Sequence, residues 1–171
     1  MLFKKQLSKL GWLNGTGIAI AIALLGAYGY QIKLSADTSF KAKTAILSYE
    51  NRQVATLEVK ATPKEQAMGL QGQDNLPSSS GILFPVQPPK LVQVWMYNVK
   101  FPIDIIFLKD GKIQGIIESA PPCSIQERCT IYRSQGAVDT VIELPAGTAK
   151  TFNLQAGTQL EVKLQDIQHK L

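Results

Sequence analysis

The residues in this sequence best suited to chemistry are carboxylates set beside or within apolar runs: Asp104, Glu118, Asp139 and Glu143. Asp104 stands in Pro-Ile-Asp-Ile-Ile and Glu143 in Val-Ile-Glu-Leu-Pro, the two most apolar settings. Two carboxyl groups sharing one cleft can serve as acid and base on a glycosidic bond, which requires them about 5 Å or roughly 6.5 to 9.5 Å apart. The plainer account has each carboxylate capping a loop or meeting water at a strand end.

Trp95-Met96-Tyr97-Asn98 is the second unusual patch. Its flat side chains and amide suit a small molecule, a glycan or a protein partner. Strand alternation puts Trp95 and Tyr97 on one face, although the same aromatics would also fill the core of a small barrel. Other chemistries lack their parts. The only histidine, His169, stands two residues from the C-terminus, so neither a zinc site nor a Ser-His-Asp or Cys-His arrangement has its imidazole. No phosphate loop or nucleophile elbow occurs, and no metal or cofactor is expected.

Cys123 and Cys129 are an even pair with five residues between them, too far apart for the two-residue spacing of redox enzymes. In an exported chain such a pair forms a disulfide. Closing so short a loop constrains the unfolded chain by about 2 kcal/mol.

Export is expected from the N-terminus. Leu10 to Tyr30 holds 21 residues without a charge, about 31 Å of helix at 1.5 Å per residue. Lys4, Lys5 and Lys9 precede it, and by the positive-inside rule they send the rest of the chain to the periplasmic or extracellular face. Residues 1–36 therefore read as a transmembrane signal anchor or as a signal peptide cleaved near Leu34-Ser35-Ala36, and 37–43 as a linker. The net charge of +5 resides largely in this segment, since beyond Ala36 there are 14 bases against 13 acids. A folded body so balanced lacks the basic excess that binds nucleic acid.

The elements that must position these residues belong to one domain, residues 44–171. With 45% apolar and 18% charged residues, the chain has the composition of a globular protein. Thr44 to Tyr49 and Gln53 to Lys60 read as strands around a loop at Glu50-Asn51-Arg52. Thr62-Pro63-Lys64-Glu65 is a capping box opening a short helix that Gly69 closes. Gly81 to Phe84 and Val92 to Tyr97 read as buried strands separated by the prolines between Pro85 and Pro89. Ile103 to Lys109 and Lys112 to Ser119 flank Asp110-Gly111, which fits a type I′ hairpin turn. A loop from Ala120 to Gly136 leads to strand Ala137 to Leu144, a turn at Pro145-Ala146-Gly147, and a last strand Thr158 to Ile167. The expected fold is mainly β (α+β), a small barrel-like domain with one short helix.

Several of these pieces in this order resemble domain-of-unknown-function family 192 from Ala45 to Leu164. They are Thr62-Pro63 with Glu65, Gly69-Leu70, Gly81-Ile82-Leu83-Phe84, Trp95-Met96 with Asn98, Pro102-Ile103-Asp104, Pro121, Tyr132 and Glu143-Leu144-Pro145-Ala146-Gly147. The resemblance implies a compact β-rich fold with a short helix, often exported, and no settled activity. The chain departs from the family pattern at Gln71 and Gln73, where a Met and an Arg usually surround Gly-Leu, and at Tyr97, where a Lys usually follows Trp-Met. The bases that would suit an anionic ligand at those positions are thus missing.

Three functions fit. The first is a non-catalytic binding domain for a small molecule, glycan or envelope protein, using Trp95, Met96, Asn98, Asp104 and Glu143. The second is an envelope glycan hydrolase with Asp104 and Glu143 as its acid and base. The third is a structural accessory of a membrane complex, held by the N-terminal segment.

Overall fold

The structure, a computed structural model, describes residues 44–124, 126 and 128–165. The expected signal or anchor, the linker, His169 and the end of the last strand lie outside them. Among the described residues no helix is long and apolar enough to cross a membrane.

Among the described residues nine strands and two short helices follow one another: β1 (Thr44–Tyr49), β2 (Arg52–Val59), α1 (Pro63–Met68), β3 (Ser80–Lys90), β4 (Gln93–Trp95), β5 (Ile103–Lys109), β6 (Lys112–Ala120), β7 (Ile131–Arg133), β8 (Val138–Pro145), α2 (Thr148–Thr151) and β9 (Glu161–Gln165). Seven strands form one sheet in the order β6-β5-β8-β3-β2-β1-β9, and β4 pairs with β7 in a separate ribbon. Every neighbouring pair in the large sheet is antiparallel except β2 and β3. Parallel neighbours cannot be joined by a tight turn, and α1 with the loop after it makes that crossover.

The large sheet curls without closing. Its edge strands β6 and β9 do not pair along their length, but residues just before β9 meet the start of β6. Ile113 N donates to Thr158 O (2.9 Å), Gly157 N to Ile113 O (2.8 Å) and Leu160 N to Gly111 O (2.9 Å). The barrel-like expectation holds in this limited sense.

Curling gives the sheet two buried faces. Ala45, Leu47, Leu57, Leu83, Ile106, Leu108, Ile142 and Leu144 fill the concave interior. On the convex side Ile82, Ile105, Phe107 and Val141 are covered by Leu70, Met96 and Val99. Strand β5, paired with β6 on one side and β8 on the other, is accordingly buried at all but its last residue, which explains an unbroken apolar run instead of an alternating one. Each fully buried Leu or Ile contributes about 1.5 to 3 kcal/mol, so the two faces together dominate the stability.

Local signals decide the connections. The capping box forms: Glu65 N donates to Thr62 Oγ1 (3.2 Å) and Thr62 N to Glu65 Oε2 (2.9 Å). These bonds hold the Glu65 carboxyl below its ordinary range. Gly69 ends the helix at φ 45°. Asp110 and Gly111 both have positive φ, 52° and 73°, as a type I′ turn requires. Asp139 braces that turn by accepting from Asp110 N at 2.7 Å.

Five boundaries differ from the sequence expectation. The β1–β2 loop is two residues, Glu50-Asn51, with φ 50° and 60°, and Arg52 already pairs with Tyr49. Strand β3 runs on through Pro85, Pro88 and Pro89, because the ladder to β8 bulges between Pro85 and Lys90 and spares the imino nitrogens a donor role. Val92 to Tyr97 is not a buried core strand: only Gln93–Trp95 is extended, as half of the surface ribbon. Its partner β7 lies inside the expected Ala120 to Gly136 loop. The segment after Gly147 forms the single turn α2, and β9 begins at Glu161.

Candidate functional site

Asp104 lies on β5 opposite Leu144 of β8, and Ile105 lies opposite Glu143. Directly opposed residues share a face and successive residues alternate, so the two carboxylates project from opposite faces of the sheet. They form no acid–base pair across one bond, and the glycan-hydrolase arrangement is absent.

Asp104 is fully buried on the concave side. Its Oδ1 accepts from Ser119 N (2.9 Å) and Gly147 N (3.2 Å), and its Oδ2 from Ala149 N (2.8 Å). These three amides belong to the end of β6 and to the turn that follows β8. The carboxylate thus ties three segments together, and its lone pairs are directed at backbone rather than at a ligand.

Glu143 is on the convex side between Ile82 and Ile105. It is 7% exposed, and no hydrogen bond reaches its carboxyl from any described residue. Burial pushes its pKa up to about 7, with the Lys60 ammonium partly opposing. Lys60 is itself buried and bridges to Glu58 at 3.2 Å. Lys60 went unnoticed in the sequence because, at a strand end, it reads as a solvent-facing residue.

The remaining candidates fall in the segment that covers the convex face. Met96 is 2% exposed and packs inward, whereas Trp95 (60%) and Tyr97 (38%) point outward. The two rings are 5.8 Å apart, centroid to centroid, at a 36° tilt. Asn98 follows with φ 55°, a left-handed conformation that asparagine tolerates better than most residues. Its backbone N donates to Cys123 O (2.9 Å), and Cys123 N donates to Val99 O (3.1 Å). The Cys123–Cys129 disulfide forms, with Cα atoms 5.7 Å apart. Between these segments lies a groove of about 490 Å³ lined by Asn98, Val99, Lys100, Pro122, Cys123, Ser124 and Gln126. Lys100 on its wall is paired with Asp74 at 2.7 Å.

Of the five residues proposed from sequence, Asn98 alone lines the groove, and Trp95 stands on the outer surface beside Tyr97. Met96 belongs to the core beneath this segment, and Asp104 and Glu143 stand elsewhere. The groove's opposite wall, Pro122, Cys123, Ser124 and Gln126, gave no signal beyond its cysteine. Among the described residues no group of three or more His, Cys, Asp or Glu could hold a metal ion.

The fold and site define a class: a mainly β domain built on an open, curled sheet, with a two-stranded ribbon and a disulfide-closed loop over its convex face. Within that class the chain belongs to domain-of-unknown-function family 192, described as "Uncharacterized ACR", whose model matches residues 45–162. A solved structure from Sinorhizobium meliloti 1021, provisionally described as a transcription regulator, shares 31% identity at a TM-score of 0.62 over 70% of this chain and 92% of that one. A protein of unknown function from Novosphingobium aromaticivorans DSM 12444 shares 26% identity at a TM-score of 0.60 over 69% of this chain and 83% of that one. No curated protein matches the chain.

Proposed function

We propose that the protein is a non-catalytic extracytoplasmic binding domain whose ligand, a small polar molecule or glycan fragment, sits in the groove beside Asn98. The observation that carries this reading is the groove itself. Its volume of about 490 Å³ falls within the roughly 300 to 1,000 Å³ of ligand sites. Asn98, Ser124 and Gln126 bring amide and hydroxyl groups to it. The hydrogen bonds between Asn98, Val99 and Cys123 and the nearby disulfide support a preformed site, which lowers the entropic cost of binding. The disulfide also supports an oxidising compartment.

The separation of Asp104 from Glu143 speaks against the glycosidase alternative. A transcription role like that ascribed to the Sinorhizobium protein is disfavoured by the balance of acids and bases beyond Ala36, which leaves little basic excess to neutralise phosphates. Thermal-shift screening of the full chain in detergent against glycan fragments, cell-wall fragments and metabolites tests the proposal, because a ligand stabilises the folded state by mass action. A stabilising compound whose effect disappears in Gln126→Ala and Asn98→Gly is the expected result; Gly keeps the positive φ available. Silence across the library, or a shift that both variants retain, overturns it.

A further inference from the structure

The ribbon of β4 and β7 presents an unusual outer face. From Leu91 to Tyr97 exposure alternates, with Leu91, Gln93, Trp95 and Tyr97 outward and Val92, Val94 and Met96 turned toward the core. Ile131 and Arg133 of β7 lie directly opposite Trp95 and Gln93, so they share that outward face. Leu91 is 68% and Ile131 41% exposed. A ribbon with one face on a core normally shows polar groups to water on the other; this one shows four large apolar or aromatic side chains. An exposed apolar patch rimmed by polar residues marks an interaction surface.

Charge narrows the partner. The segments 87–100 and 121–136, which include this ribbon, carry Lys90, Lys100, Arg128 and Arg133 against the single acid Glu127. Lys100 is occupied by Asp74, whereas Lys90 and Arg133 are exposed close to the apolar face. Trp and Tyr, with an apolar body and a polar tip, favour the headgroup depth of a bilayer, and basic residues beside them are drawn to anionic lipid. Aliphatic Leu91 and Ile131 suit acyl chains better than they suit a sugar. The sequence adds a tether: 13 residues separate the uncharged stretch ending at Tyr30 from Thr44, a reach of at most about 47 Å.

We propose that the β4–β7 ribbon docks the domain onto the anionic headgroup layer of a membrane. Trp95, Tyr97, Leu91 and Ile131 enter the interface, and Lys90 and Arg133 meet lipid phosphates. This proposal is independent of the ligand in the groove.

The sequence has two tryptophans, Trp12 and Trp95, so the full chain carrying Trp12→Phe reports on Trp95 alone. It is mixed with vesicles of phosphatidylcholine, with or without phosphatidylglycerol, and Trp95 emission and its quenching by lipids brominated near the headgroup are read. The expected result is a blue shift with quenching on the anionic vesicles. Both should fall strongly in about 1 M salt, where the Debye length is roughly 3 Å. The paired variants Leu91→Ser with Ile131→Ser, and Lys90→Glu with Arg133→Glu, should lose most of the quenching while keeping the wild-type thermal midpoint, since these side chains are exposed. A membrane anchor acting alone brings the chain to both vesicle types but leaves Trp95 in water. Unquenched Trp95 on vesicle-bound protein therefore overturns the proposal and points to a protein or glycan partner for the ribbon. Quenching unchanged in both variants overturns it as well. Ligand binding in the groove, read by thermal shift without lipid, stands or falls separately.

Discussion

Two buried carboxylates that look alike in sequence behave oppositely because of what surrounds their oxygens. Asp104 is met by three backbone amides, and removing it leaves those donors buried without partners, at about 1 to 3 kcal/mol each. Asp104→Ala should therefore lower stability by about 4 kcal/mol in urea unfolding, and a loss below 1 kcal/mol would refute its role as a tie. Glu143 has burial without hydrogen bonds, and its pKa rises from 4.5 to about 7. The folded protein then holds a proton that the unfolded chain has released above pH 4.5. Stability accordingly falls as pH rises from about 4.5 to about 7 and is level above that, a loss of about 3 kcal/mol for a shift of this size. Glu143→Gln should flatten this slope and leave the variant more stable than the wild type at pH 8; an unchanged slope would show that another group is responsible.

At the scale of elements, turns and caps carry the local information. Glu50 occupies a left-handed position at φ 50°, which costs a residue with a Cβ about 1 to 2 kcal/mol. Glu50→Asn should recover part of this, raising stability by about 0.5 kcal/mol and slowing unfolding, provided the exposed Glu50–Arg52 pair at 3.8 Å contributes as little as exposed pairs usually do. A destabilised Glu50→Asn would mean that this pair matters more than the turn. The elements that sequence located correctly, the capping box at Thr62 and the Asp110-Gly111 hairpin, are those whose partners lie within a few residues. Strand β7 was hidden because three residues offer too short a pattern, and its partner β4 lies almost forty positions earlier in the chain.

For the whole molecule, the sheet depends on close approach at one point. A Cβ on Gly81 would stand 2.7 Å from Glu143 O, from a methyl of Leu144 and from a methyl of Leu57. These atoms belong to both strands flanking β3, so relief requires the sheet to open. Gly81→Ala should destabilise by about 3 kcal/mol through overpacking, with cooperative unfolding at a lower midpoint. A neutral outcome would show that the strands can separate at low cost. The same curled sheet has a concave face that is largely interior, and the polar groove and aromatic ribbon both lie among the segments laid over the convex side.

The sequence by itself determined the strand-rich character, the capped helix, the Asp-Gly hairpin, the cysteine pair and the aromatic patch, because each depends on local sterics or on composition. Tertiary structure alone decided which side of the sheet each carboxylate faces, that Trp95 meets solvent while Met96 is core, and that the curled sheet stays open. Those outcomes arise from the pairing of strands far apart in sequence. A change of one residue in that register reverses the face of every side chain on the strand, and no local pattern along the chain specifies it.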